Sequence, residues 1–259
     1  MRPTVIKIGG SFAENDELVS KLAAELLEFP LGRGGGPILL VHGGGRIISE
    51  VEERWGYEPA FVNGLRETSA ETMPFVDMAL AGAVNKRLVR LLRRGGLNAW
   101  GLSGVDGGLI LAKSARSRVS ECRIGLVASL DTQPLRVLWE NGYLPVLASP
   151  ASDAEGRGLN VNADEAALAL ALDTRARNLV FISDIPGVLS DDTVISRLDS
   201  PAAEEKIARG EIWGGMIPKV RSAISALKGG VGAVLIGDYL EYGDLEKLLL
   251  RQKGTAIGG

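Results

Sequence analysis

The chain has 259 residues, 46% of them hydrophobic and 5% aromatic, and a net charge of -3, enough for one large α/β domain or two closely packed lobes. Its basic runs are short (Arg93-Arg94, and Arg116 to Arg118) and its aromatic residues few, so neither charge nor stacking points to nucleic acid as a partner. One cysteine, Cys122, and one histidine, His42, exclude an internal disulfide framework and a His-cluster or Cys-based metal centre. In chain order, residues 5–8 read as a strand ending in Gly9-Gly10, and 16–27 as a helix with Leu18, Leu22, Leu26 and Leu27 apolar. A Gly-rich turn at 32–37 leads to a strand at 38–42, then Gly43-Gly44-Gly45, then a helix at 47–55. A longer helix is predicted over 70–94, capped by Ser69 or Thr68 and stopped at Gly95-Gly96. Residues 99–102 read as a strand, and 109–112 with 123–128 as an antiparallel ribbon. Asp131 caps a helix to residue 140, closed by Asn141-Gly142. Then come a strand at 144–148, a helix at 162–172, a strand at 179–182, a helix at 218–227, a strand at 233–236 and a last helix at 245–250.

Repeated strand-then-helix units predict an α/β fold, a three-layer αβα sandwich around a mostly parallel sheet. The pattern restarts near Asn178, so residues 1–177 and 178–259 are the expected lobes. The first residues run into a strand pattern without a signal peptide. Apolar stretches such as residues 166–172 are too short to span a bilayer. A soluble cytoplasmic protein, with no membrane partner, is the expectation. In open α/β sheets ligands bind beyond the carboxyl ends of strands. That rule selects the glycines after Ile8, those after His42, and the segment after Ile182.

Glycine lets a backbone approach a ligand and present its N–H groups, and a following helix attracts anions. Neither cluster is a Walker A loop or a Rossmann fingerprint, so each also reads as a tight strand-helix turn. Lys7 lies inside an apolar strand, where an anion would compensate its burial, or else it lies on an exposed strand face. Asn160, Asn162 and Asp164 alternate before an apolar helix; Asn162 alone would serve as an N-cap. Gly214-Gly215-Met216-Ile217-Pro218-Lys219 opens another helix with a lysine in its first turn. That lysine opposes the helix dipole unless a phosphate sits there.

Together these stretches resemble the amino-acid kinase family. The likeness runs through Ile6-Lys7-Ile8-Gly9-Gly10, Val41-His42-Gly43-Gly44-Gly45, Asn63-Gly64-Leu65-Arg66 and Val84-Asn85-Lys86. It continues through residues 101–108, Asn160-Val161-Asn162-Ala163-Asp164, residues 183–189 and residues 214–220. The order is the family's, over nearly the whole chain. The Asn-Gly-Leu-Arg and Asn-x-Asn-Ala-Asp segments are most like the branch that phosphorylates N-acetylglutamate in arginine biosynthesis.

The resemblance implies a carbamate-kinase-like fold and transfer of the γ-phosphoryl group of ATP to a side-chain carboxylate. ATP is then the cosubstrate, with Mg²⁺ held mainly by phosphates and water. A carboxylate is already ionised at neutral pH, so no general base is required. By resemblance Lys7 and Lys219 stabilise the transferring phosphoryl and the leaving ADP, and Asp164 holds both lysines. Gly9, Gly10 and Gly44 present N–H groups to the phosphoryl group. Arg66 clamps the substrate α-carboxylate, while Asn160 and Asn162, with Gly44 and Gly45, bind the acyl-amino end. Ser183, Asp184, Val188, Leu189, Ile212, Trp213 and Met216 fall where the family seats the nucleotide.

Arginine-inhibited members of the family carry a helix before the first strand, and Lys7 lies too near Met1 for one. A homodimer without strong arginine feedback is therefore expected. The long helix, through Val76, Ala79, Leu80 and Ala83, is a candidate contributor to the interface, with core packing the other reading. The nearest rival activity is the related lysine-pathway kinase, whose aminoadipyl substrate is one methylene longer. A non-catalytic amino-acid sensor of the same fold is the rival of another class.

Overall fold

Period-2 alternation divides the apolar side chains between two cores. In the strand Thr4–Ile8, Val5 packs into one core and Ile6 and Ile8 into the other. The strand Ile38–His42 repeats this, with Leu39 and Val41 on one side and Ile38 and Leu40 on the other. A strand buried on both faces belongs inside a helix-covered parallel sheet. The computed structural model describes residues 2–28, 36–62, 64–115, 121–190, 193–212 and 216–258. The turn residues 32–35, Asn63, residues 116–118 and Trp213-Gly214-Gly215 lie outside the described residues.

The main sheet has eight strands: β1 (Thr4–Ile8), β2 (Ile38–His42), β3 (Ala99–Ser103), β4 (Leu144–Ala148), β5 (Asn178–Ile182), β6 (Arg197–Leu198), β7 (Ala233–Gly237) and β8 (Thr255–Ile257). Their spatial order is β6-β8-β7-β5-β1-β2-β4-β3. All neighbours are parallel except β7 and β8. β1 lies between β2 and β5, with Lys7 beside Val41 and Phe181. The sheet divides at that seam into four strands that precede residue 178 and four that begin there or later. Beside it, Ile110–Ser114, Ile124–Leu130, Ala151–Ser152 and Gly158–Val161 close a small barrel. The first two of these pair antiparallel, as the ribbon reading predicts.

The expected helix over 70–94 starts later and is not uniform. It begins at Met73, with Pro74 in its first turn, and a π-helical segment, Met78–Val84, joins Met73–Asp77 to Asn85–Arg94. Ser69 and Thr72 tie the entry: the Thr72 N–H donates to Ser69 Oγ at 3.2 Å and the Ser69 N–H to Thr72 Oγ1 at 3.0 Å. Val76, Ala79 and Leu80 are buried within the monomer and pack with Ile48 and Met73, while Ala83 is exposed. The expected Asp131 cap shifts by one residue. Thr132 holds the N-cap position of Gln133–Glu140, and Asp131 accepts the Gln133 N–H at 3.0 Å. Among the described residues no helix is long and apolar enough to cross a membrane.

Candidate active site

A cavity of about 260 Å³ opens at the carboxyl ends of β1 and β2, where the strand-end rule places ligands. Lys7, Gly10, the three glycines after His42, Arg66, Asn160, Asn162 and Asp164 all line it. Lys7 is the penultimate residue of β1, with its side chain only 13% exposed. Its Nζ lies 2.8 Å from Asp164 Oδ1, an ion contact rather than an aligned hydrogen bond. Asp164 Oδ2 faces Lys219 Nζ at 3.8 Å, and the same ammonium donates to Ser183 Oγ at 3.4 Å. One carboxylate thus spaces two ammonium groups, one from the first strand and one from the helix Met216–Lys228. Two like charges are held together only because an anion lies between them. They remain a net positive site beside the glycines.

Asp164 owes its place to the helix start. Asn162 is the N-cap of Ala163–Asp173, and its side-chain oxygen accepts the N–H groups of Asp164 at 2.8 Å and Glu165 at 3.3 Å. The amide oxygen of Asn162 is therefore occupied by capping, and only its NH₂ is left for a ligand. Asn160, on the strand Gly158–Val161, donates to Thr68 Oγ1 at 2.9 Å and lines the cavity.

The glycine clusters divide their work. The Gly9 N–H donates to the Ile182 carbonyl at 3.2 Å, which continues the β1–β5 ladder. The expectation that it cradles a phosphoryl group is corrected: its hydrogen is spent in the sheet. Gly10 and Gly45 are first residues of the helices Gly10–Glu14 and Gly45–Arg54, and first-turn N–H groups have no intrahelical acceptor. At Gly44 a Cβ would stand 2.9 Å from Leu80 and 3.0 Å from Val84, so the π-helical segment packs directly onto that backbone.

Arg66 is buried, and its guanidinium is already partly engaged. Nη1 pairs with Glu52, while Nη2 donates to the Gly45 carbonyl and to Ser49 Oγ, each at 2.7 Å. The Phe61 ring lies 4.8 Å from its carbon centre. With both Nη2 hydrogens used, only the Nε hydrogen and the second Nη1 hydrogen are left for a ligand. Burial pushes the Glu52 carboxyl above its usual range against the pull of Arg66, and pushes the Arg66 guanidinium below its own. Glu52 and Ser49 went unrecognised in the sequence. The available signal was a charged residue four positions after Ile48, on the buried face of that helix.

On the other side, Ser11 Oγ donates to Asp184 Oδ1 at 2.5 Å, joining the short helix after β1 to the segment after β5. The Ser183 N–H donates to Gly237 O at 2.9 Å. The Leu189 N–H approaches Met216 Sδ at 3.5 Å. Val188 and Ile212 are fully buried in the larger core. Among the described residues no cluster of three or more His, Cys, Asp or Glu side chains could hold a metal.

Residues 2–238 match the family model described as the amino acid kinase family. An acetylglutamate kinase of Methanopyrus kandleri is 41% identical over 90% of this chain and 93% of its own length. One of Chlorobaculum parvum is 41% identical over 90% of this chain and 77% of its own. Among solved structures, the carbamate kinase of Giardia lamblia bound to AMP-PNP superposes with a TM-score of 0.69. It covers 99% of this chain and 98% of that one at 14% identity, a likeness of fold. With the sheet order, the strand-end cavity and these matches in agreement, this chain belongs to the amino acid kinase family.

Proposed function

We propose that the protein transfers the γ-phosphoryl group of ATP to the side-chain carboxylate of N-acetyl-L-glutamate, giving an acyl phosphate and ADP. The observation that carries this reading is the Lys7–Asp164–Lys219 cluster, whose Lys7 and Asp164 line the same cavity as Arg66 and Asn160. An anionic nucleophile must meet an anionic phosphate, and the remedy is fixed positive charge and N–H donors. Lys7 neutralises charge on the transferring phosphoryl oxygens, and Lys219 charge on the leaving ADP. Asp164 keeps the two ammonium groups in place without removing their net charge. The N–H groups of Gly10, Gly44 and Gly45 complete the cradle at the start of the helix Gly45–Arg54. Arg66 receives the α-carboxylate through its remaining N–H groups, and Asn160 and Asn162 the acetamido end. No histidine or carboxylate has to act as base, because the acceptor is ionised at neutral pH.

Ser183, Asp184, Leu189 and Met216, with Val188 and Ile212 behind them, form the nucleotide side in this reading. Mg²⁺ would neutralise the β- and γ-phosphate oxygens and is assigned no protein cage, since Asp164, a carboxylate lining the cavity, is taken up by two lysines. A homodimer is the proposed assembly; the outer strand β3, with Trp100 exposed, ends the sheet on that side. An ADP-release assay decides the substrate. ATP-dependent turnover with acetylglutamate well above that with aminoadipate or aspartate is expected; turnover preferring the longer acid, or none with any, overturns the reading.

A further inference from the structure

His42 ends β2 immediately before the three glycines and is fully buried. Its Nδ1 lies 3.0 Å from the Gly43 carbonyl and its Nε2 3.0 Å from Asn85 Nδ2. A carbonyl only accepts, so Nδ1 carries the proton. The Asn85 orientation is fixed independently: its Nδ2 also donates to the Val146 carbonyl at 2.8 Å, and its Oδ1 accepts from Lys86 Nζ at 3.0 Å. Nε2 is therefore the acceptor, and one neutral tautomer satisfies every contact. The room for Asn85 is made by Gly101 on β3, where a Cβ would fall 2.1 Å from Asn85 Oδ1. A neutral buried imidazole held on both sides, touching no ligand position, is a device for orienting the backbone that follows it.

We propose that His42 is a positioning residue for phosphoryl transfer, its Nδ1–H fixing the Gly43 carbonyl and thereby the direction of the Gly44 N–H group, which shares that peptide plane. Asn85 selects the tautomer, and Asn85 directly follows the π-helical segment that packs on Gly44. The glycine cradle is thus held from both sides, by the ring before it and by the helix against it. A displacement of the reacting groups by about 1 Å costs roughly 10²-fold in rate, so a device of this kind acts on kcat rather than on substrate affinity. The kinetic arm rests on the acetylglutamate kinase reading above.

Two substitutions separate orientation from filling the site. His42→Asn keeps a side-chain N–H at the bond position of Nδ1. His42→Gln keeps an acceptor at that of Nε2 and removes the donor toward Gly43. The expected result is that His42→Asn keeps kcat within about tenfold of wild type, while His42→Gln loses about 10²-fold at little change in KM. Equal losses in both variants, or the reverse order, would overturn the proposal. In protein labelled at its histidine nitrogen atoms, NMR reads the ring directly, since the chain has one histidine. Nδ1 protonated and Nε2 bare is expected throughout about pH 5.5 to 8; an Nε2–H tautomer, or titration near an ordinary histidine, sinks the proposal whatever the substrate is. If wild type does not turn over acetylglutamate, the functional reading fails by itself. The NMR reading of the ring then decides the proposal alone, with the same expected tautomer and the same overturning results.

Discussion

Lys7 and Lys219 share one carboxylate, so each is expected to matter for rate rather than for folding. Lys7→Ala and Lys219→Ala should each lower kcat by about 10² to 10³-fold with melting curves that stay cooperative; a variant with near wild-type kcat removes that lysine from the chemistry. Arg66 differs because its partner Glu52 is buried. Arg66→Ala should raise KM for the amino-acid substrate and also destabilise by about 3 kcal/mol, since a buried carboxylate loses its partner. Adding Glu52→Gln should restore stability but not KM, and recovery of both would take Arg66 out of the substrate site. His42 gives a pH signature. Burial pushes its pKa down to about 4, with the Gly43 carbonyl opposing and Lys86 adding to the push. Between about pH 6.5 and 4 the unfolded chain binds the proton and the folded chain does not. Stability is therefore full above that window and falls as pH drops through it, by up to about 1.4 kcal/mol per unit. Denaturant melts of His42→Asn should lack that part of the slope. The charged cluster was legible because Lys7, Asp164 and Lys219 break apolar or dipole patterns. Ser11, Glu52 and the tautomer-setting contact of Asn85 were not, because a polar residue shows its partner only once distant strands and helices meet.

At the scale of elements, the long regular ones were readable and the short ones were not. β2 and β4 occur with the predicted bounds, since nearly all-apolar runs flanked by turns leave little choice. The strand Gly158–Val161 and the hairpin Phe61–Val62 with Leu65–Arg66 are too short to carry a period. They form because the barrel and the helix Gly45–Arg54 lie alongside. The helix Ser200–Ala208 carried an unread signal: Asp199 accepts the Ala202 N–H at 2.8 Å as N-cap, and Pro201 sits in the first turn. The π-helical segment was invisible because its composition is that of an α-helix, yet it brings Leu80 and Val84 onto Gly44. Gly44→Ala must therefore move either the cradle or that segment. Loss of kcat by about tenfold or more is expected, whereas Gly45→Ala, whose Cβ would meet nothing within 4 Å, should be milder. Equal kinetics for the two would mean that the segment yields without disturbing the cradle.

At the scale of the whole molecule, the sheet seam at β1 and β5 runs through the Lys7–Asp164–Lys219 cluster. Lys7 and Asp164 precede it in sequence, while Lys219 and Ser183 follow it. The contact within the first half is close, 2.8 Å, and the one across the seam is loose, 3.8 Å. A phosphate chain lying over both lysines adds a shared anion, and tightening across the seam is the expected response. Binding at either site should then favour the arrangement that the other site needs, which is a coupling free energy between sites. A non-hydrolysable ATP analogue and acetylglutamate together should raise the melting temperature by more than the sum of their separate shifts, at matched saturation. Lys219→Ala should reduce the pair to simple additivity while leaving the acetylglutamate shift intact. Additive shifts in the wild-type protein would mean that the two halves bind independently and that Asp164 couples the lysines only locally.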